Sequence, residues 1–171
     1  MSENELISVD LRAPDFHLPA HSGQTIALSD YRGRRAVILF FTREFSCPQC
    51  QLHARQLARA HDDIRARGAE VLVIGAGTVG DAQRYAERLG LPYPVLADVD
   101  RSVYERYLLD RVFLSLIQRS AAFLVDRDGT IRYAHVSTNP HRTLQSADLM
   151  SALESLAHVE GVAPAVEKDM Q

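Results

Sequence analysis

The chain has 171 residues, 46% of them hydrophobic and 24% charged, which suits one domain around a buried core and is too little for two full-sized ones. Its net charge is -3 and all but one of the 19 basic residues are arginines scattered along the chain, so nucleic acid is not an expected partner. No apolar run reaches the roughly 18 to 20 residues of a bilayer span, and the start MSENELISVDLR has neither a basic nor an apolar stretch, which predicts a soluble cytoplasmic protein with no membrane contact.

Asp15 to Leu28 reads as a hairpin, because Phe16, Leu18, Ile26 and Leu28 alternate with polar neighbours around Ser22-Gly23. After a turn at Ser29 to Gly33, the unbroken apolar run Ala36 to Phe41 is a strand buried on both faces. Pro48 to Arg67 has helical spacing, with Leu52, Leu57, His61 and Ile64 close to one face, and Gly68 stands where the helix should stop. Glu70 to Ile74 is a second buried strand, so strand, helix and strand make one parallel βαβ unit with a right-handed crossover. A helix over Asp81 to Leu89, stopped by Gly90, a short strand over Val95 to Ala97 and a helix over Arg101 to Leu109 follow.

Leu108 to Ile117 reads as an amphipathic helix packed on the sheet, with a homodimer surface or a gate over the cysteines as alternatives. Ala121 to Val125 and Thr130 to Val136 flank Asp126-Arg127-Asp128-Gly129 and predict an antiparallel hairpin. Gln145 to Ala157 is a closing helix, and the stretch from Gly161 a frayed tail. A βαβ unit followed by a ββα unit is the plan of an α/β thioredoxin-like fold: a central mixed β-sheet flanked by helices, here with an N-terminal β-hairpin extension, in a single domain over residues 1–171.

The only cysteines, Cys47 and Cys50, form one C-x-x-C between the first buried strand and its helix. A bridge that closes so small a loop does little for stability, so the value of the pair is chemical. Pro48 suits the first helical position, which puts Cys47 at the N-cap, where unpaired N–H groups and the helix dipole favour a thiolate. Cys50, nearly one turn on, faces inward, so Cys47 is expected to attack and Cys50 to resolve. Attack on a disulfide gives a mixed disulfide and attack on a peroxide a sulfenic acid; Cys50 closes either, and an external thiol resets the pair.

Two other motifs compete with this reading. C-x-x-C is half of a zinc site that His17 and His21, or His53, could complete, but Pro19 breaks the helix that usually presents such histidines. Gly75-Ala76-Gly77-Thr78-Val79-Gly80 matches G-x-G-x-x-G between a strand and a helix, with Asp98 at the spacing of a ribose-binding acid. The later hairpin and the short remaining length argue against a dinucleotide fold, and the glycines read as a flexible loop bordering the active site. Neither a cofactor nor a metal is expected.

The stretch APDFHLPAHSGQTIALSDYRGRRAVILFFTREFSCPQC, followed by LGLPYPVLADVDRSVYERY and AAFLVDRDGTIRYAH, resembles the AhpC/TSA (peroxiredoxin) and redoxin branch of thioredoxin-like proteins over roughly residues 10–157. The resemblance implies a thiol-dependent oxidoreductase acting on a hydroperoxide or disulfide, with a reductant such as the thioredoxin or glutathione system. A non-enzymatic redox sensor or binding module on the same fold is the alternative.

Departures from the family pattern accompany the likeness. Peroxiredoxins typically carry Pro seven and Thr three residues before the peroxidatic Cys, and here Phe40 and Glu44 stand there. Thr42 or Ser46 is the substitute hydroxyl, and Glu44 would oppose a thiolate if it pointed inward. The arginine the family places before the later core strand corresponds to Arg119, offset by one residue relative to Asp126; Arg43 is the other candidate partner for the thiolate. Ala121-Ala122 stands where a thioredoxin would carry a cis-proline.

Overall fold

The computed structural model describes residues 7–109 and 118–162. The N-terminal hairpin consists of β1 (His17–Pro19) and β2 (Thr25–Ala27), which pair antiparallel as a sheet of their own. A five-stranded mixed sheet forms the centre, in the spatial order β5 (Val95–Ala97), β4 (Ala69–Gly75), β3 (Ala36–Phe41), β6 (Ser120–Val125), β7 (Ile131–Ser137). β3, β4 and β5 run parallel, and β6 and β7 are antiparallel additions on the other side of β3. The fold is the thioredoxin-like one that the alternation of strand and helix predicts.

Two layers cover the sheet, and strand alternation decides which residue meets which layer. Ile38, Phe40, Val71 and Val73 face the helices α1 (Pro48–Arg59), α2 (His61–Ala66), α3 (Val79–Leu89) and α5 (Ser146–Val159). Val37, Leu39, Phe41, Leu72 and Ile74 face the hairpin and α4 (Ser102–Arg106). On that second face Phe41 lies 4.9 Å from the Tyr107 ring and 5.3 Å from the Tyr104 ring. The Tyr104 hydroxyl donates to the carbonyl oxygens of Thr42 at 2.5 Å and Ile74 at 3.1 Å. It thereby pins the C-terminal ends of β3 and β4, where the cysteine loop begins.

Two expected elements differ from those observed. The helix read over Pro48 to Arg67 is broken at Ala60 into α1 and α2, with no proline or glycine at the break. Beside it the buried His61 ring lies 2.6 Å from Glu70 on β4 and packs against Tyr93, a tertiary contact that local periodicity does not encode. The helix read over Arg101 to Leu109 ends at Arg106, because Leu108 takes a left-handed conformation (φ 55°) and Leu109 N–H turns back to the Tyr104 carbonyl. Strand and helix ends elsewhere move by one or two residues. Most of the apolar stretch Leu108 to Ile117, and with it the gate or dimer surface, lies outside the described residues, as does the tail beyond residue 162.

Candidate active site

At the end of β3 the chain leaves the sheet through Thr42 to Ser46 and enters α1 at Cys47. Cys47 is the N-cap: its backbone is extended (φ -64°, ψ 112°), Pro48 takes the first helical position, and its Sγ accepts the Cys50 N–H at 3.3 Å. The sulfur thus takes up one of the N–H groups that the first turn of a helix leaves without an intrahelical partner. Cys50 is fully buried, and its Sγ accepts the Arg43 N–H at 3.4 Å. The two sulfurs are unbonded, Cys47 half-buried at the mouth and Cys50 behind it.

Burial first, and then its hydrogen bond with Cys47, push the Cys50 thiol from its ordinary 9.0 up to about 12. Residue-resolved iodoacetamide labelling of the folded protein should therefore mark Cys47 long before Cys50. Comparable labelling of the two at neutral pH would contradict the arrangement. The unfolded chain gives up the Cys50 proton near pH 9 and the fold holds it to about 12. This contribution to stability is complete below pH 9 and is lost as pH rises toward 12.

Cys47 opens onto a cleft of about 470 Å³ lined by Arg43, Ser46, Gln49, Pro140 and His141. Pro140 and His141 belong to a short 3-10 helix (Pro140–Arg142). The buried Thr143 beyond it is held by Ser120 of β6, Oγ to Oγ1 2.5 Å. Gln49 donates an amide N–H to His53 Nε2 at 3.3 Å. The His53 ring is buried against Phe40, and burial, then the neighbouring His141, hold its pKa below the ordinary histidine value. His141 and Gln49 are cleft residues that no motif marks. His141 arrives from a turn about ninety residues downstream, for which Asn139-Pro140 is the only local signal.

The other anticipated residues distribute as follows. Thr42 is fully buried and its Oγ1 has no partner among the described residues, so it does not line the cleft. Ser46 does line it, and its Oγ donates to Glu44 Oε2 at 3.3 Å. Glu44 is exposed and lines the same cleft as Cys47. Arg119 is not brought to Cys47: its Nη2 donates to the Leu108 carbonyl on the α4 side of the sheet. The one-residue offset explains this. Ala121 and Phe123 face the α4 layer and Ala122 and Leu124 the α1 layer, so by alternation Arg119 extends the α4 series. Ser120 occupies the α1-facing position instead.

His21, His53, Gly75 and Gly77, drawn from the zinc and dinucleotide motifs, take packing and hydrogen-bonding places in the fold, and His17 is exposed. Among the described residues no three His, Cys, Asp or Glu side chains gather; His21 Nδ1 accepts the Val95 N–H at 3.0 Å, and His53 packs in the core. At Gly75 and Gly77 the place a pyrophosphate would need is filled by the Phe45 ring. A Cβ on Gly77 would lie 3.1 Å from Phe45 Cε2, and one on Gly75 would overlap the ring. Neither glycine has a positive φ, so they serve close packing rather than flexibility. Asp98, fully buried, caps α4 by accepting the Val103 and Tyr104 N–H groups.

The chain resembles known proteins in sequence and in fold. The model of the AhpC/TSA family matches residues 9–134. Peroxiredoxin Bcp of Escherichia coli (strain K12) is 29% identical over 126 residues, 71% of this chain and 80% of its own. Among solved structures, peroxidoxin BcpB from Mycobacterium tuberculosis superposes with a TM-score of 0.76 at 22% identity, over 90% of this chain and 98% of its own. The bacterioferritin comigratory protein of Xanthomonas campestris, described for alkyl peroxide reduction, gives 0.75 at 17% identity, over 88% and 99%.

Proposed function

The chain belongs to the AhpC/TSA family, and from that premise we propose that, as a thiol-dependent oxidoreductase, it reduces hydroperoxides through a Cys47–Cys50 dithiol–disulfide cycle. The observation that carries the reading is the pair itself: a sulfur at a helix N-cap, open to a cleft, with a second sulfur buried one turn behind it.

The Cys47 thiolate attacks the terminal peroxide oxygen; an S–O bond forms, the O–O bond breaks, and the alkoxide leaves as alcohol with a proton from the medium. Cys50 then attacks the Cys47 sulfur, and the sulfenic hydroxyl departs as water carrying the Cys50 proton. That coupling matters because Cys50 holds its proton to about pH 12. Two equivalents of an external thiol restore the dithiol. Ser46 replaces the missing family threonine as the hydroxyl facing the peroxide, and Arg43 and His141 line the cleft in which the oxyanion develops. A reducing cytoplasm, which keeps an external thiol pool, suits this cycle.

A second reading, reduction of disulfides, is favoured by the absence of Arg119 and Thr42 from the cleft. Peroxide consumption with dithiothreitol as donor, run beside insulin reduction, separates the two. Peroxide turnover well above the dithiothreitol background supports the first, turnover of insulin alone the second, and activity in neither assay defeats both.

A further inference from the structure

The loop Glu44 to Ser46 has a cleft on each side. One holds Cys47; the other, about 430 Å³, is walled by Phe45, Tyr85, Asp81, Arg84, Arg88 and Arg101, and Glu44 and Ser46 line both. The charges of the second cleft fall into two groups. Arg84 is neutralised by Asp81 at 2.6 Å, and Asp81 is further occupied by the Thr78 N–H and hydroxyl at the start of α3. Among the described residues no carboxylate pairs with Arg88 or Arg101, and no cation pairs with Glu44, whose carboxylate accepts one hydrogen bond, from the Ser46 hydroxyl. The Arg101 guanidinium is instead held over the Tyr104 ring, 5.3 Å from its centre. The cleft therefore presents two guanidinium groups and one carboxylate without ionic partners, beside the loop that ends at the reactive sulfur.

We propose that this cleft binds the reductant, a small acidic thiol carrying two carboxylates and one ammonium, so that its carboxylates meet Arg88 and Arg101 and its ammonium meets Glu44. The assignment of a reducing role rests on the thiol cycle described above; the binding site itself does not. Guanidinium groups pair carboxylates in two-point fashion, which gives orientation as well as attraction. An extended tripeptide reaches about 10 Å, enough to lie in the arginine cleft and pass its sulfur over Ser46 to Cys47, the next residue. The bound thiolate attacks the Cys47 sulfur of the disulfide; a mixed disulfide forms, and the Cys47–Cys50 bond breaks with Cys50 leaving to take up a proton. A second thiolate attacks the reductant's own sulfur, releasing a small-molecule disulfide and the Cys47 thiolate. Two thiols are oxidised and one protein disulfide is reduced.

Calorimetric titration of the reduced protein with S-methylglutathione, which has the charges but no free thiol, tests the site without the reaction. Saturable binding is expected at millimolar concentration or below, weakened about tenfold or more by Arg88→Gln with Arg101→Gln. On the unaltered protein, the probe with both carboxylates esterified should not bind, a control that does not depend on the variant's folding. In the disulfide form, glutathione should reduce the protein about tenfold or more faster than cysteamine, a cationic thiol with no carboxylate. Absence of saturable binding, equal binding of the esterified probe, or a cysteamine rate matching that of glutathione would overturn the proposal. Binding of the probe without peroxide turnover in dithiothreitol would sustain the site and remove the peroxidase reading.

Discussion

Cys47→Ser is expected to bring peroxide consumption with dithiothreitol down to the uncatalysed background, a loss of at least about 10³-fold, because a neutral hydroxyl at a helix N-cap cannot replace a thiolate as nucleophile. Cys50→Ser should behave differently. Cys47 would still meet peroxide, so one equivalent is consumed, and the enzyme then halts as a sulfenic acid that dimedone labels once at Cys47. Slow turnover returns only if an external thiol attacks that sulfenic acid directly. The contrast follows from geometry: Cys47 opens onto the cleft, and Cys50 lies fully buried behind it with its proton tightly held. Equal retention of turnover in the two variants, or dimedone labelling of Cys50 in the wild-type protein, would reverse the assigned roles.

Much of this arrangement was legible in the residues. The strands Ala36 to Phe41 and Val95 to Ala97 occupy the spans that their apolar runs mark, since burial on both faces leaves a continuous signal. The placing of Cys47 at a helix start follows from Pro48 alone. What stayed hidden depends on contacts distant in sequence: the break at Ala60 beside the His61–Glu70 pair, and His141 coming to the Cys47 cleft from beyond β7. Arg119 is the intermediate case. Its offset by one residue is visible in the sequence, and the period of two in a strand turns that single step into a change of face, away from the cysteines.

That lesson applies with most force to Gly75 and Gly77, whose spacing imitates a phosphate-binding loop while their purpose is steric. Gly75→Ala would drive the added methyl group into the Phe45 ring, with even the more distant Cε2 only 2.7 Å away. Phe45 cannot simply withdraw: its other side rests on Tyr85, ring centres 5.0 Å apart, and its carbonyl accepts the Gln51 side-chain N–H at 2.9 Å. The expected cost is about 1–3 kcal/mol of overpacking, read as a melting temperature lower by about 2–4 °C for each kcal/mol.

Because Phe45 stands two residues before Cys47, the displaced loop should also lose turnover, beyond what the lower stability explains at the assay temperature. Adding Phe45→Ala to Gly75→Ala removes the overlap, so the two changes together should cost less than the sum of each alone, a favourable coupling of about 0.5–3 kcal/mol. Were the glycines there for a nucleotide instead, Phe45→Ala would give no such rescue and NADH would protect the wild-type protein against heat. A Gly75→Ala protein with unchanged melting temperature and unchanged turnover would mean that Phe45 does not hold the cysteine loop against β4.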